Sequence, residues 1–282
     1  ATGLSVLGVI LRYKTGGDVK GGLIALAHPR SSVAEAFRMV RTNLQFATLD
    51  KPGQRFLVTS ASPGEGKTSV SSNLAVSIAQ AGKRVILIDA DLRRPQIHKL
   101  FGLENSQGFT NLLLNEGANP LSYLQDGQVT GLRVLTVGSI PPNPAELLAS
   151  PQVGHLLETL RNEADILIVD GPPILLVADP GIMASKLDGV ILVAQSGRTT
   201  PEDLLASKEA LTAANISIVG VVLNRVEPAG RGGYYYYHRY PYRYYHYYHD
   251  EEGKRERRQG VGHLIDKVRH GLTRPLQAFR RG

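Results

Sequence analysis

The chain has 282 residues, a formal charge of +7 and no cysteine. That length suits one large α/β domain with appendages, and the missing thiols exclude a disulfide framework and a thiolate metal centre while fitting a reducing compartment. The positive balance suits acidic partners such as nucleotide phosphate, phosphotyrosine, anionic lipid or nucleic acid.

Residues 1–30 read as an irregular lead-in, a short apolar run from Leu4 to Leu11 followed by Gly16, Gly17, Gly21 and Gly22. The apolar run is too short to cross about 30 Å of hydrocarbon. Ser31 or Ser32 can cap a following helix, in which Val33, Phe37, Val40 and Leu44 recur at helical spacing and Glu35, Arg38 and Arg41 share another face. Strand-like runs come next at Arg55–Ser60, Arg84–Asp89, Arg133–Val137, Asp165–Asp170, Gly189–Ala194 and Ile216–Leu223. Helical patterns at Lys67–Ala81, Pro151–Asn162 and Pro201–Ala213 lie between them. Such alternation predicts a mostly parallel sheet with helices on both faces, with ligand beyond the carboxyl ends of the strands.

Past Gly230, Gly232 and Gly233 the composition changes. Ten of the twelve tyrosines fall between Tyr234 and Tyr248: Tyr234, Tyr235, Tyr236, Tyr237, Tyr240, Tyr242, Tyr244, Tyr245, Tyr247 and Tyr248. With Pro241 and interleaved arginine and histidine, the tract has no sustained period, so it is expected to be an exposed, disordered tail. Its phenols are reachable phosphate acceptors; a sticky aromatic tail and a single-stranded nucleic-acid platform are the alternatives. Beyond it Val261, Leu264, Ile265, Val268 and Leu272 mark a basic amphipathic helix, in a segment (251–282) with nine Lys/Arg against four Asp/Glu, 9 − 4 = +5. His238, His246 and His249 are too irregularly spaced for a metal site, and His28, His98 and His155 stand alone. The organisation expected is a lead-in (1–30), a catalytic domain (31–229), a tyrosine cluster (230–250) and a basic extension (251–282).

The chemistry sits at strand ends. After Phe56–Thr59 comes Ser60-Ala61-Ser62-Pro63-Gly64-Glu65-Gly66-Lys67-Thr68, opening a helix with Ser69 in its first turn. This is the phosphate-loop pattern G-x-x-x-x-G-K-[ST] with Ala61 for the first glycine. Backbone N–H groups and the helix N-terminus can cradle phosphate, Lys67 can neutralise it and Thr68 can reach Mg²⁺. The next strand ends Asp89-Ala90-Asp91-Leu92-Arg93-Arg94-Pro95, and a third ends Asp170-Gly171-Pro172-Pro173. Carboxylates at i and i+2 of an extended chain face the same way, and all three aspartates are placed for phosphate-bound metal.

This set resembles the bacterial tyrosine kinases, cytoplasmic partners of the polysaccharide co-polymerases of capsule and exopolysaccharide export. The run Pro141-Pro142-Asn143-Pro144-Ala145-Glu146-Leu147-Leu148, the tyrosine cluster and Glu35-x-x-Arg38-x-x-Arg41 resemble that family as well. The resemblance covers roughly residues 4 to 248 and implies a P-loop ATPase fold and a non-specific protein-tyrosine autokinase using ATP and Mg²⁺. Carried over, Pro63, Gly64, Glu65, Gly66, Lys67, Thr68 and Ser69 would bind nucleotide. Lys67, Asp89, Asp91 and Asp170 would be catalytic, with Thr68 and the three aspartates at the metal and the choice of base open. Asn224 and Arg225 match an adenine-contacting position of related ATPases. Glu35, Arg38 and Arg41 would join subunits into a ring in which each tail is phosphorylated in trans. The implied setting is the cytoplasmic face of the inner membrane, with a transmembrane co-polymerase activator and a protein-tyrosine phosphatase as partners, and not nucleic acid. The opening Leu4–Ile10 resembles the stretch after the last membrane span of fused members. Two departures stand out: Gly171 replaces the usual Ser or Thr, and the basic extension runs past the tyrosines, where it is either a solvated helix or a contact for anionic lipid.

The rival is a septum-positioning or partition-type ATPase without kinase activity. Such ATPases carry an additional lysine early in the loop, where this chain has Ser60, Ala61 and Ser62, and no tyrosine tail. A nucleotide-binding scaffold that holds RNA through the tail is a third reading. No H-R-D or D-F-G set of the eukaryotic kinases is present.

Overall fold

All six apolar runs become strands of a single eight-stranded sheet. In the computed structural model the strands are β1 (Val6–Leu11), β2 (Arg55–Ser60), β3 (Val85–Asp89), β4 (Gln125–Asp126), β5 (Leu132–Leu135), β6 (Ile166–Asp170), β7 (Gly189–Gln195) and β8 (Ile218–Val226). Their order is β1-β8-β7-β2-β6-β3-β5-β4, parallel throughout except where β4 meets β5. The structure describes residues 2–13, 22–49, 54–115 and 117–227. The expectations for the tyrosine cluster and the basic extension fall outside these residues.

The helices are α1 (Ile24–Ala27), α2 (Ser32–Ala47), α3 (Lys67–Ala79), α4 (Ile97–Phe101), α5 (Phe109–Leu114), α6 (Pro144–Ala149), α7 (Pro151–Glu163), α8 (Asp179–Ala184) and α9 (Pro201–Ala213). Strand residues alternate between two apolar layers, as a period of two demands. Phe56 and Val58 of β2 join Phe37 of α2 and Leu74 of α3 on one face. Leu57, between them, joins Leu157 of α7 and Leu211 of α9 on the other. Strands β2, β3, β6 and β7 are buried almost end to end, which is why they read as continuous apolar runs.

One expectation is corrected. The opening run is not irregular: β1 pairs in parallel with β8, from Val6 opposite Val221 to Leu11 opposite Val226. It is an edge strand whose outer face is covered by α2. A Cβ on Gly8 would meet Val40 Cγ2 at 2.5 Å, so glycine allows helix and strand to approach this closely. Two register shifts in this pairing explain why the run lacks clean alternation.

The register of the central strands prepares the site. Asp89 pairs with Asp170 across β3 and β6, both at the carboxyl ends, and β2 on the other side of β6 leads into the phosphate loop.

Candidate functional site

The phosphate loop turns sharply because two of its residues are left-handed. Gly64 has φ 79° and Gly66 φ 96°, conformations that cost a β-carbon-bearing residue dearly. At Gly66 there is also no room, since a Cβ would lie 2.2 Å from Asn224 Nδ2. That amide donates to the Glu65 carbonyl at 2.9 Å. Gly66 is the N-cap of α3, and Lys67 is its first residue. The free N–H groups of a helix start then point into the loop.

Lys67 is buried and directed at the acidic strand ends. Its Nζ lies 2.7 Å from Asp91 Oδ2, 3.3 Å from Thr68 Oγ1 and 3.9 Å from Asp170 Oδ2. Burial disfavours the ammonium, but Asp170, Asp91 and Asp89 outweigh it and raise its pKa. Asp91 Oδ1 accepts the Arg94 N–H at 3.0 Å. Asp170 accepts from Ser71 Oγ at 3.1 Å, while its Oδ2 is buried without a hydrogen-bond partner among the described residues. Burial, with the charge of Asp91, keeps the Asp170 pKa above the usual carboxylate range despite Lys67. Asp89 is held differently. Its Oδ1 accepts from Asp91 N at 3.3 Å and its Oδ2 from Gln96 N and Ile97 N at 3.1 and 3.0 Å. Burial, then the Asp170 charge, pushes its carboxyl up to about 8. One lysine cannot offset three buried carboxyl groups if all are ionised, so the cluster holds its protons more tightly and a cation would favour its ionised form.

The structure therefore brings together Lys67, Thr68, Asp89, Asp91 and Asp170. Arg225 joins the loop from β8: its Nη1 donates to the Gly64 carbonyl and to Gln195 Oε1, both at 3.0 Å, and its backbone is left-handed at φ 55°. Ser69 instead pairs with the hydroxyl of Tyr13 at 3.0 Å, and Pro63 is exposed at the loop's rim. At Gly171 a Cβ would lie 2.8 Å from Leu57 Cδ1, so a larger residue there would require that side chain to shift.

The trio on α2 is only partly outward. Arg38 pairs with Glu35 and donates to the Pro29 carbonyl, whereas Arg41 Nη1 donates to the Ser77 carbonyl of α3 at 2.9 Å. Contacts that the sequence does not reveal include Ser71 on Asp170, the Arg93–Asp179 pair, and Thr199 on Glu65. The last spans 134 positions, and nothing in the local pattern of either segment announces it.

A ParA family model, described as NUBPL iron-transfer P-loop NTPase, matches residues 52–228. The tyrosine-protein kinase YwqD of Bacillus subtilis is 41% identical over 227 residues, covering 80% of this chain and 95% of that protein. The chain is a bacterial tyrosine kinase of the P-loop NTPase class. The tyrosine-protein kinase Etk of Escherichia coli K12 is 38% identical over 204 residues, covering 72% of this kinase but 28% of Etk, so the chain spans about a quarter of that longer relative. The solved kinase domain of Escherichia coli ETK superposes with TM-score 0.76 at 34% identity, covering 81% of this chain and 92% of that one. The septum site-determining protein MinD of Pyrococcus horikoshii, complexed with Mg-ADP, is more distant, at 22% identity and TM-score 0.53, and shares the fold alone.

Proposed function

We propose that this kinase transfers the γ-phosphoryl group of ATP to the tyrosines between Tyr234 and Tyr248, in trans within a homo-oligomer. The observation that carries the reading is the convergence of Lys67, Asp91 and Asp170 at the head of a phosphate loop, in a chain whose tyrosines are gathered just past the last strand of that domain. Kinase relatives with matching kinase domains support it over the ATPase rival.

The residues fit Mg²⁺. Asp170 Oδ2 is buried with no hydrogen bond among the described residues and only the Lys67 ammonium 3.9 Å away, so it has acceptor capacity left for a cation, and Thr68 and Asp91 both contact that same lysine. Among the described residues no group of three or more His, Cys, Asp or Glu forms a protein cage, which is the pattern expected for an ion that keeps waters and takes substrate phosphates as ligands. When bound there, Mg²⁺ would offset charge on the β- and γ-phosphoryl oxygens. Lys67 would neutralise the transferring group, and the loop's N–H groups would orient it. The phenolic oxygen forms its bond to phosphorus, the bond to the ADP oxygen breaks, and the phenol proton passes to a carboxylate. The acceptor is one of Asp89, Asp91 and Asp170, and Asp89 is the least free of the three, since its Oδ2 already accepts from Gln96 N and Ile97 N.

Glu35 and Arg38 would contribute to the subunit contact, a transmembrane activator would act from the side of the lead-in, and the basic extension would meet anionic lipid. A setting at the membrane's cytoplasmic face and reversal by a phosphatase belong to the same reading. Among the described residues no helix is long and apolar enough to cross a membrane. Intact-mass measurement after incubation with ATP and Mg²⁺, followed by tryptic mapping, tests the proposal: successive phosphate additions should map to Tyr234–Tyr248. ATP turnover with unmodified tyrosines would replace it with the partition-type reading.

A further inference from the structure

The turn between β7 and α9 bears on the phosphate loop at two points. Glu65, in the middle of the loop, is 1% exposed. Its Oε2 accepts the Ser62 N–H at 2.8 Å, and its Oε1 accepts the hydroxyl of Thr199. The Thr199 oxygen in turn accepts the Gln195 N–H at 2.7 Å. On the other flank Gln195 shares the Arg225 guanidinium with the Gly64 carbonyl. Gly64 and Glu65 are thus both braced from residues 195–199, across strands β2 and β7 that lie side by side.

A buried carboxylate held by hydrogen bonds alone depends on each donor it has. Removing the Thr199 hydroxyl would strand Glu65 Oε1 and the Gln195 N–H together. Glu65 would then be free to turn, and the Ser62 N–H that its other oxygen holds would lose a fixed acceptor.

We propose that Thr199 is a positioning residue for the nucleotide site: acting through Glu65, it fixes the Ser62–Gly66 backbone in the shape that receives phosphate. The inference rests on the nucleotide-binding reading of that loop. The hydroxyl alone carries the role, so serine substitutes for threonine and valine, of nearly the same shape, does not.

The test uses the full chain and ADP carrying a fluorescent ribose label, with affinity measured beside thermal midpoint. Thr199→Val should weaken binding about ten-fold, the effect of one charge-assisted hydrogen bond, and Thr199→Ser should stay within about two-fold of the parent. With ATP as substrate, Thr199→Val should raise KM more than it lowers kcat. Because the two residues act as a unit, Thr199→Val combined with Glu65→Gln should bind no more than about two-fold more weakly than the weaker single variant. If Thr199→Val does not fold, Thr199→Ala takes its place in the same comparison. Binding by Thr199→Val or Thr199→Ala equal to the parent, or loss in Thr199→Ser equal to that in valine, overturns the inference. A parent chain that binds no labelled ADP overturns the nucleotide reading itself.

Discussion

Arg93 grips Asp179 with two hydrogen bonds, Nε to Oδ2 at 2.8 Å and Nη2 to Oδ1 at 2.9 Å. Asp179 is fully buried at the first turn of α8, while the arginine side chain is 42% exposed. The pair ties the loop that follows Asp91 to the segment that follows Asp170, so the two acidic strand ends are also linked beyond the sheet. Lysine cannot reproduce a planar two-point grip. Arg93→Lys should therefore lower stability by about 1 to 3 kcal/mol, the range for a buried acceptor left under-satisfied. Autophosphorylation should fall further than unfolding explains. Urea denaturation and initial rates on the same samples check this, and equal activity in Arg93→Lys would show that the grip is not needed for alignment.

Asp170 should be needed for activity and unfavourable for stability. Its carboxylate is buried beside two others with one lysine between them, and a pKa raised by burial means that the charge is costly to hold there. Asp170→Asn removes that charge while keeping an oxygen for Ser71. In the absence of nucleotide the variant should be more stable by about 1 kcal/mol, and tyrosine phosphorylation should be lost. Lys67→Met should abolish activity too, but with lowered stability, since it removes the cation and leaves the carboxylates. Thermal melts and anti-phosphotyrosine detection separate the two; retained phosphorylation in both variants would discard the catalytic assignment.

The same cluster sets a pH dependence. Asp89 titrates near 8 in the folded chain against 3.8 in its reference state, because of burial first and Asp170 second. The folded state thus holds a proton that the unfolded chain releases between those values. The group's contribution to stability is full below about pH 4 and is lost as pH rises through about 8. Asp170 shifts in the same direction. Asp165, held low by Arg84, acts oppositely but only in acid, outside this window. The thermal midpoint of the nucleotide-free chain should fall between about pH 6 and 9, and the slope should flatten in Asp89→Asn. A midpoint independent of pH over that range would mean that the cluster does not hold its protons as described.

Much of this was legible in the sequence because strand, phosphate loop and helix are contiguous. Residues 55–79 carry β2, the loop and α3 in one stretch, and a strand buried on both faces announces itself as an apolar run. The acidic strand ends could be read for the same reason. What stayed hidden depends on contacts across the sheet. Strand β1 has a bulged register and a glycine under Val40, so its pattern is broken by the helix that covers it. Helices α4 and α8, five and six residues long, are too short to show a period. The capping role of Asp89 needs the position of Ile97 in space, and spacing alone makes Asp89 and Asp91 look equivalent.

Spacing places Glu35, Arg38 and Arg41 on one face, and a ring contact would need their charges free for a neighbouring subunit. The structure divides them. Arg41 reaches the Ser77 carbonyl near the end of α3, and burial first, then Arg38, lowers its pKa. It therefore helps join α2 to the helix that begins at the phosphate loop, whereas Glu35 is half exposed and pairs with Arg38 at the surface. Arg41→Ala should lower stability by roughly 1 kcal/mol even where the protein is monomeric, and Arg38→Ala by less, as a solvent-exposed pair contributes little. If the ring forms through this face, Arg38→Ala should reduce assembly with nearly unchanged melting, while Arg41→Ala should change both. Light scattering and thermal melts at matched low and high concentrations distinguish the roles. Equal melting temperatures for Arg41→Ala and the parent at the monomeric concentration would show that the Ser77 bond does not support the fold.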